Sequence, residues 1–349
     1  MLVKIQTGNA YNVNIDRDIL KNCGDMIKAI PQQKYSRIAI VTDDNVAPLY
    51  LSAVRASIES AGFDVFEFIF PNGEASKNMN QAMEIAGFLS DNSFTRRDLI
   101  VALGGGVTGD LSGFVASIYQ RGIDYVQIPT TFLAAIDSSV GGKTAVNIPQ
   151  GKNLIGAFWQ PRLVICDINT LSTLSSEVFA DGTSEAIKYG CIYDASLFEL
   201  IENGELKEKL AEVIIRCVQI KAEVVALDEK DNAIRQILNF GHTVGHAVEK
   251  LSGFAVSHGK AVAIGMSIIS KAGEKSGLTA MGTSEKIDKI LSENALPISH
   301  EYSTTDICKA CLGDKKREAN SINFIMLSKI GKSFVHPVAT KNLNEFLDV

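Results

Sequence analysis

The first half of the chain alternates short apolar runs with amphipathic stretches. Arg37-Ile38-Ala39-Ile40-Val41-Thr42 and Asp64-Val65-Phe66-Glu67-Phe68-Ile69-Phe70 are dominated by β-branched and aromatic residues and read as strands. Between them residues 47–61 have helical spacing, with Pro48 tolerable because it falls in the first turn. Leu99-Ile100-Val101-Ala102-Leu103 is another strand and runs directly into three glycines. The opening Met1-Leu2-Val3-Lys4-Ile5-Gln6-Thr7 alternates like a strand and lacks the long apolar core of a secretion signal. Strands separated by helices predict a parallel or mostly parallel sheet with crossover helices, which takes ligands beyond the carboxyl ends of its strands. After Asp167 the period changes: 177–189, 206–225 and 235–250 read as helices, and strand candidates become few. Ile322-Asn323-Phe324-Ile325-Met326-Leu327, with Ser333-Phe334-Val335 beyond Gly331, predicts a late hairpin. The pattern therefore predicts an α/β N-terminal domain with a Rossmann-like, mostly parallel sheet over 1–170 and a mainly α-helical domain over 171–349. A cleft between the two is the default place for an active site.

Composition narrows the function classes. With 349 residues, 46% hydrophobic and 21% charged, the chain is ordinary globular material with length for two cores. A formal net charge of -6 gives no broad basic footprint for nucleic acid, so a cationic site for a small anion must be local. Apolar runs such as 261–264 are far too short to span a bilayer, and a cytoplasmic protein is expected. Cys23, Cys166, Cys191, Cys217, Cys308 and Cys311 are scattered and do not resemble a disulfide framework. Cys308 and Cys311 lack the second pair of a zinc ribbon and receive no chemistry.

Candidate chemistry gathers in three places. Three of the five histidines lie within Asn239-Phe240-Gly241-His242-Thr243-Val244-Gly245-His246 and Ser257-His258-Gly259. His242 and His246, four apart, share one helix face, and His258 adds a third imidazole; metal binding competes here with plain packed or solvated histidines. Thr243 follows His242 and no glutamate separates the pair, so the HExxH protease pattern fails. Gly104-Gly105-Gly106-Val107-Thr108-Gly109-Asp110 follows a strand and opens a helix, where backbone N–H groups can approach a pyrophosphate, although a tight corner uses the same residues. Pro129-Thr130-Thr131, Asp137-Ser138-Ser139-Val140-Gly141-Gly142-Lys143-Thr144 and Gly151-Lys152-Asn153 add small residues and two lysines suited to phosphate or carboxylate. Gly142-Lys143-Thr144 mimics the end of a Walker A loop, but Asp137 stands where its first glycine belongs.

These segments, with Arg121-Gly122-Ile123, Ala145-Val146-Asn147 and Glu185-Ala186-Ile187-Lys188, occur in an order that resembles the 3-dehydroquinate synthase family from about residue 36 to about 335. The resemblance implies conversion of 3-deoxy-D-arabino-heptulosonate 7-phosphate to 3-dehydroquinate and phosphate, in the shikimate pathway, by a homodimer. The expected course is transient oxidation by NAD, elimination of phosphate, reduction, ring opening and aldol closure, with a divalent metal, zinc or cobalt. It implies Glu185, His242 and His258 as metal ligands, with His246 turned to substrate. Lys152, Asn153, Asn239 and His246 would surround the phosphate, with Arg121 reaching in from a second subunit. Lys221 and Arg235 would take the carboxylate, and Asp137 and Lys188 a hydroxyl close to the metal.

For NAD the resemblance implies Asp43, Asn45, Gly73, Glu74, Ala75, Ser76, Lys77, Gly106, Val107, Thr108, Gly109 and Asp110. It adds Thr130, Thr131, Lys143, Lys152, Thr170, Leu171, Ser172 and Thr173. Asp43 and Asn45 serve equally as caps of the following helix. The chain departs from the family in lacking a proline within Leu171-Ser172-Thr173-Leu174-Ser175, in carrying Ala135 for a glutamine, and in Asp231 for a glutamate. The basic residue expected near the C-terminus is Lys315, Lys316 or Lys329. Rival functions are another sugar phosphate cyclase, making an inosose, a valiolone or an aminated dehydroquinate, and a metal-dependent polyol dehydrogenase, which would release NADH stoichiometrically. Intact Gly141-Gly142-Lys143-Thr144 and Gly151-Lys152-Asn153, with Lys221 and Arg235, favour dehydroquinate. A non-enzymatic metal- or nucleotide-binding module needs no lysines beside a metal cluster.

Overall fold

The apolar runs of the first half form one seven-stranded sheet in the computed structural model, which describes residues 1–31, 35–313 and 320–349. Across the sheet the order is β1 (Leu2–Ile5), β2 (Tyr11–Asp16), β9 (Leu163–Asp167), β6 (Asp124–Pro129), β5 (Leu99–Gly104), β3 (Arg37–Asp43) and β4 (Asp64–Phe70). Only the β1–β2 pairing is antiparallel. β5 and β9 are buried along their whole length, β5 between helices on both faces, and such strands read as continuous apolar runs. Strand alternation divides β3 between two cores. Ile38 and Ile40 face α1 (Cys23–Lys28) and α2 (Ser52–Ser60), packing with Ile27, Val54 and Ile58. Ala39 and Val41 face α3 (Met79–Asp91) and α4 (Gly106–Ile118), packing with Ile85, Leu89, Leu111 and Val115. Each such buried valine, leucine or isoleucine contributes roughly 1.5–3 kcal/mol.

From β3 the chain passes to β4 on one flank, and β5 lies on the other, so the order reverses between β3 and β5. In an open α/β sheet the crevice at such a reversal, beyond the carboxyl ends, is where a nucleotide is taken. Asp43 closes β3 and Gly104 closes β5, which puts the glycine-rich turn at that position. A separate antiparallel hairpin, β7 (Lys143–Ile148) and β8 (Gly151–Phe158), follows β6.

The chain divides into two compact units, 1–174 with 221–230, and 175–220 with 231–349. The second carries α5 (Ser176–Ile192), α6 (Ala195–Glu202), the start of α7 (Leu210–Leu227), α8 (His242–Leu251), α9 (His258–Lys275), α10 (Thr283–Glu293) and α11 (Thr304–Leu312). It ends with the hairpin β10 (Ser321–Lys329) and β11 (Lys332–Ala339) and a short α12 (Leu343–Leu347). Rossmann-like sheet first and helical half second is the architecture expected from the periodicity. One predicted helix differs: the helix expected over 235–250 is a 3-10 turn, Ile234–Asn239, then a break, then α8. The break is Gly241, whose φ of 78° no residue inside a continuous helix adopts. All six cysteines are buried and none is in a disulfide. Among the described residues no helix is long and apolar enough to cross a membrane.

Candidate functional site

In the second unit, glycines bring three helices into unusually close contact. A methyl group on Gly245 of α8 would lie 3.0 Å from the carbonyl oxygen of Ala261 in α9, and one on Gly265 of α9 would overlap the carbonyl of Gly241. A side chain on Gly259 would overlap the backbone of Asp181 in α5. Asp181 in turn accepts from Ser257 Oγ at 2.6 Å, immediately before His258, and fastens the start of α9 to α5. The result is that Glu185 from α5, His242 from α8 and His258 from α9 present ligand atoms within 4.8 Å of one another.

Glu185 is fully buried, and its Oε1 lies 3.5 Å from His242 Nε2 and 3.4 Å from His258 Nε2. Burying a carboxylate costs several kcal/mol unless it is compensated. Compensation comes from Lys188, one turn on and equally buried, whose ammonium pairs with the other Glu185 oxygen. His242 Nδ1 is 3.1 Å from the Phe240 carbonyl oxygen; a carbonyl only accepts, so Nδ1 donates and Nε2 is left as the bare ligand nitrogen. Burial, against the pull of Glu185, pushes His242 down to about 3, so its ring is neutral. For His258 burial acts in the same direction, but hydrogen bonds to the Glu185 and Glu249 carboxylates outweigh it and lift the ring to about 10 in the metal-free chain. One carboxylate and two imidazoles converging on a buried point fit a divalent cation and leave coordination positions for another ligand. His246 has a 61% exposed side chain, and its ring centroid is 6.0 Å from that of His258. Arg235 is buried in the 3-10 turn, and Asn239, its last residue, is half-buried.

In the first unit, α4 starts directly after β5. A methyl on Gly105 would lie 2.9 Å from Thr131 Cγ2, so the turn presents little but backbone N–H groups at a helix N-terminus. Residues 106–110 form the first turn and a half of α4. Asp43 Oδ1 accepts from the N–H groups of Asn45 and Val46 at 3.0 and 2.9 Å, and Oδ2 from Thr108 Oγ1 at 3.1 Å. That is the geometry of a cap tied across to α4; Asn45 is exposed beside it. Lys77 Nζ lies 2.6 Å from both Asp110 Oδ2 and Asn153 Oδ1. Burial holds the Asp110 carboxyl above its ordinary range, with Lys77 opposing. Asn147 accepts from the Asn153 N–H at 2.9 Å and donates to Glu74 Oε1 at 2.6 Å, so segment 73–77, α4 and the β7–β8 hairpin are cross-linked. Lys152 stands half-buried next to Asn153, and Lys143 is exposed at the first position of β7.

Gly141 and Gly142 have φ of 92° and 67° and lead into a strand, whereas a Walker lysine opens a helix. Thr130 and Thr170 are buried, and the hydroxyl of Tyr50 reaches the Thr170 carbonyl and Thr173 Oγ1 within the 3-10 turn Ile168–Thr173, which also carries Leu171 and Ser172. Lys221 Nζ pairs with the carboxylate of Asp137 and lies 2.7 Å from its carbonyl oxygen. Arg121 is exposed with a left-handed φ of 64°. Lys329 is exposed at the β10–β11 turn, lining a groove with Ala195, Glu199 and Lys286; Lys315 and Lys316 lie outside the described residues.

Two residues escaped the sequence reading. Asp181 looks like one more helical acid. Glu249, three residues past His246 and seven past His242, is 3% exposed with Oε2 3.5 Å from His258 Nδ1; its spacing on the histidine face was the available signal.

Comparison with known proteins gives a consistent assignment. Residues 67–181 match the family model described as 3-dehydroquinate synthase N-terminal, and 182–317 the one described as 3-dehydroquinate synthase C-terminal. A 3-dehydroquinate synthase of Streptococcus suis (strain 05ZYH33) is 42% identical over 346 residues, covering 97% of each chain. A 2-deoxy-scyllo-inosose synthase solved with carbaglucose-6-phosphate, NAD+ and Co2+ superposes with a TM-score of 0.88 at 25% identity, over 99% of both chains. The 2-epi-5-epi-valiolone synthase of Streptomyces hygroscopicus subsp. jinggangensis 5008, with NAD+ and Zn2+ bound, gives 0.87 at 25% identity, over 99% of this chain and 98% of its own.

Proposed function

The chain belongs to the 3-dehydroquinate synthase family, and from that premise we propose that it turns 3-deoxy-D-arabino-heptulosonate 7-phosphate into 3-dehydroquinate and phosphate, in the shikimate pathway. The observation that carries the proposal is the buried Glu185 facing His242 and His258, with the Lys188 ammonium fixed beside it. Glu185, His242 and His258 would hold a divalent cation, zinc or cobalt, which would supply Lewis acidity toward a substrate hydroxyl. NAD, taken at the glycine turn that opens α4, supplies reversible hydride acceptance.

The protein's own groups bind and orient. Lys152, Asn153, Asn239 and His246 serve the phosphate; the exposure of His246 suits that task. Lys221, paired with Asp137, and Arg235 serve the carboxylate. Asp137 and Lys188 hold a substrate hydroxyl. Lys77, Asp110 and the 73–77 segment shape the nucleotide side, together with Lys143, Thr130, Thr131 and the 170–173 turn. Holding one geometry and neutralising both anionic ends is worth several kcal/mol of barrier.

The enzyme is further proposed to work in the cytoplasm as a homodimer. Six buried cysteines outside any disulfide suit a reducing compartment. β8 exposes Leu154, Ile155 and Phe158 along an edge strand, a surface that a second copy would cover, and the exposed Arg121 is available to serve the other subunit's site. The test supplies the heptulosonate phosphate with catalytic NAD and a divalent metal, then measures phosphate and identifies the carbocycle. One phosphate per 3-dehydroquinate without NADH accumulation is expected; NADH rising with turnover would reveal a dehydrogenase, and a different carbocycle another cyclase.

A further inference from the structure

An imidazole that binds a cation through one nitrogen carries a proton on the other, and that N–H needs an acceptor. For His242 the acceptor is the Phe240 carbonyl oxygen, 3.1 Å from Nδ1. For His258, Nε2 faces Glu185 Oε1 at 3.4 Å, while Nδ1 faces Glu249 Oε2 at 3.5 Å. Glu249 is 3% exposed, so the fold carries the desolvation of a second carboxylate at this point of α8, where an apolar side chain would pack without that cost.

We infer that Glu249 is a positioning residue for the metal. It accepts the Nδ1–H of His258, fixes the ring's tautomer and rotation, and so aims Nε2 toward the point shared with Glu185 and His242; its negative charge also makes the ring a stronger donor. The inference rests on the proposed metal set of Glu185, His242 and His258. A competing assignment for the same carboxylate exists, because Glu249, His246 and His258 also offer ligand atoms within 4.8 Å of one another and can hold a cation themselves.

Cobalt titration separates the two. Metal-free wild type, Glu249→Gln and Glu249→Leu are titrated with Co2+ against a competing chelator while the visible Co2+ absorption is recorded, and thermal unfolding of the metal-free proteins is measured alongside. Glutamine still accepts the hydrogen bond but lacks the charge, so affinity should fall about 10-fold, and leucine, which does neither, should lose about 100-fold. The Co2+ spectrum should shift in the leucine variant, the metal-free glutamine variant should melt near wild type, and turnover should recover at saturating cobalt. Unchanged affinity and spectrum in the glutamine and leucine proteins would overturn the inference; if the leucine protein does not fold, the glutamine protein decides alone. A weaker second Co2+ equivalent, present in wild type and lost in the variants while the tight one is untouched, would also overturn it and make Glu249 a ligand of another site. Failure of the metal set itself looks different: His258→Ala would retain a stoichiometric tight Co2+.

Discussion

Gly265→Ala tests whether the close approach of α8 and α9 sets the metal centre. The added methyl carbon would lie 2.8 Å from the Gly241 carbonyl carbon and 3.0 Å from the Gly245 nitrogen, with the Gly241 carbonyl oxygen nearer still. Ordinary carbon–carbon contact begins at about 3.5 Å, which alone asks for ~0.7 Å, and the nearer carbonyl oxygen asks for more, so the helices must part by about 1 Å or more at this point. Alanine gains about 1 kcal/mol of helix propensity over glycine, while overpacking costs about 1–3 kcal/mol. The obstructing atoms are backbone and cannot rotate away, which puts the cost at the upper end and the net loss near 2 kcal/mol. Gly245→Ala is the graded control. Its nearest neighbours are backbone atoms at 3.0 and 3.1 Å, so a shift of a few tenths of an ångström suffices and stability should stay within about 1 kcal/mol of wild type. Metal–ligand distances tolerate only about ±0.2 Å, and an error approaching 1 Å costs about 100-fold. Chelator competition should therefore show cobalt affinity about 100-fold weaker in Gly265→Ala and less than about 10-fold weaker in Gly245→Ala. Equal effects in the two variants, or wild-type affinity in Gly265→Ala, would refute the link between helix spacing and the centre.

Metal uptake should release about one proton near pH 7.5. His258, lifted from 6.5 to about 10 in the metal-free chain, is protonated there and must lose that proton to bind, whereas His242, held down at about 3, has none to give. Calorimetry in buffers of different ionisation enthalpy counts the protons, and zero released would contradict the assignment. The same proton stabilises the metal-free chain fully below pH 6.5, and that contribution is lost as pH rises through about 10. Lys77→Met should destabilise by about 3 kcal/mol in urea unfolding at pH 8, because it strands the Asp110 carboxylate, 18% exposed. Burial already holds that carboxyl above its ordinary range, so the deficit should shrink on acidification as it takes up a proton; a constant deficit would point to a purely steric role for Lys77. Arg235→Leu should weaken substrate saturation while leaving NAD binding measurable by fluorescence; loss of NAD affinity alone would remove Arg235 from the carboxylate.

The nucleotide side of the fold was the part the sequence carried most openly. Buried parallel strands must be apolar throughout, so 37–42 and 99–103 announce themselves, and glycines directly after a strand mark where backbone has to approach closely. The β7–β8 hairpin was missed because a small exposed hairpin needs no apolar alternation; β8 is largely exposed and its neighbour begins at a lysine. The helix assigned to 235–250 ran through Gly241 because periodicity does not register one left-handed residue. In the metal cluster the histidines stood out by rarity, while Glu185 and Glu249 look like any helical acid; only tertiary burial separates them from solvated neighbours. Lys221 is similar, since its partner Asp137 lies far away in the chain.

The assignment of residues 221–230 to the first unit has a consequence for recombination. The chain crosses between units after 174, again after 220 and again after 230, so no single cut yields two self-contained pieces. A chimera that joined 1–174 from one relative to the remainder from another would split the Asp137–Lys221 pair between parents. Swaps that keep 221–230 with the first segment preserve it. Inherited variation at Asp137 and Lys221 should therefore travel together, although more than eighty positions separate them.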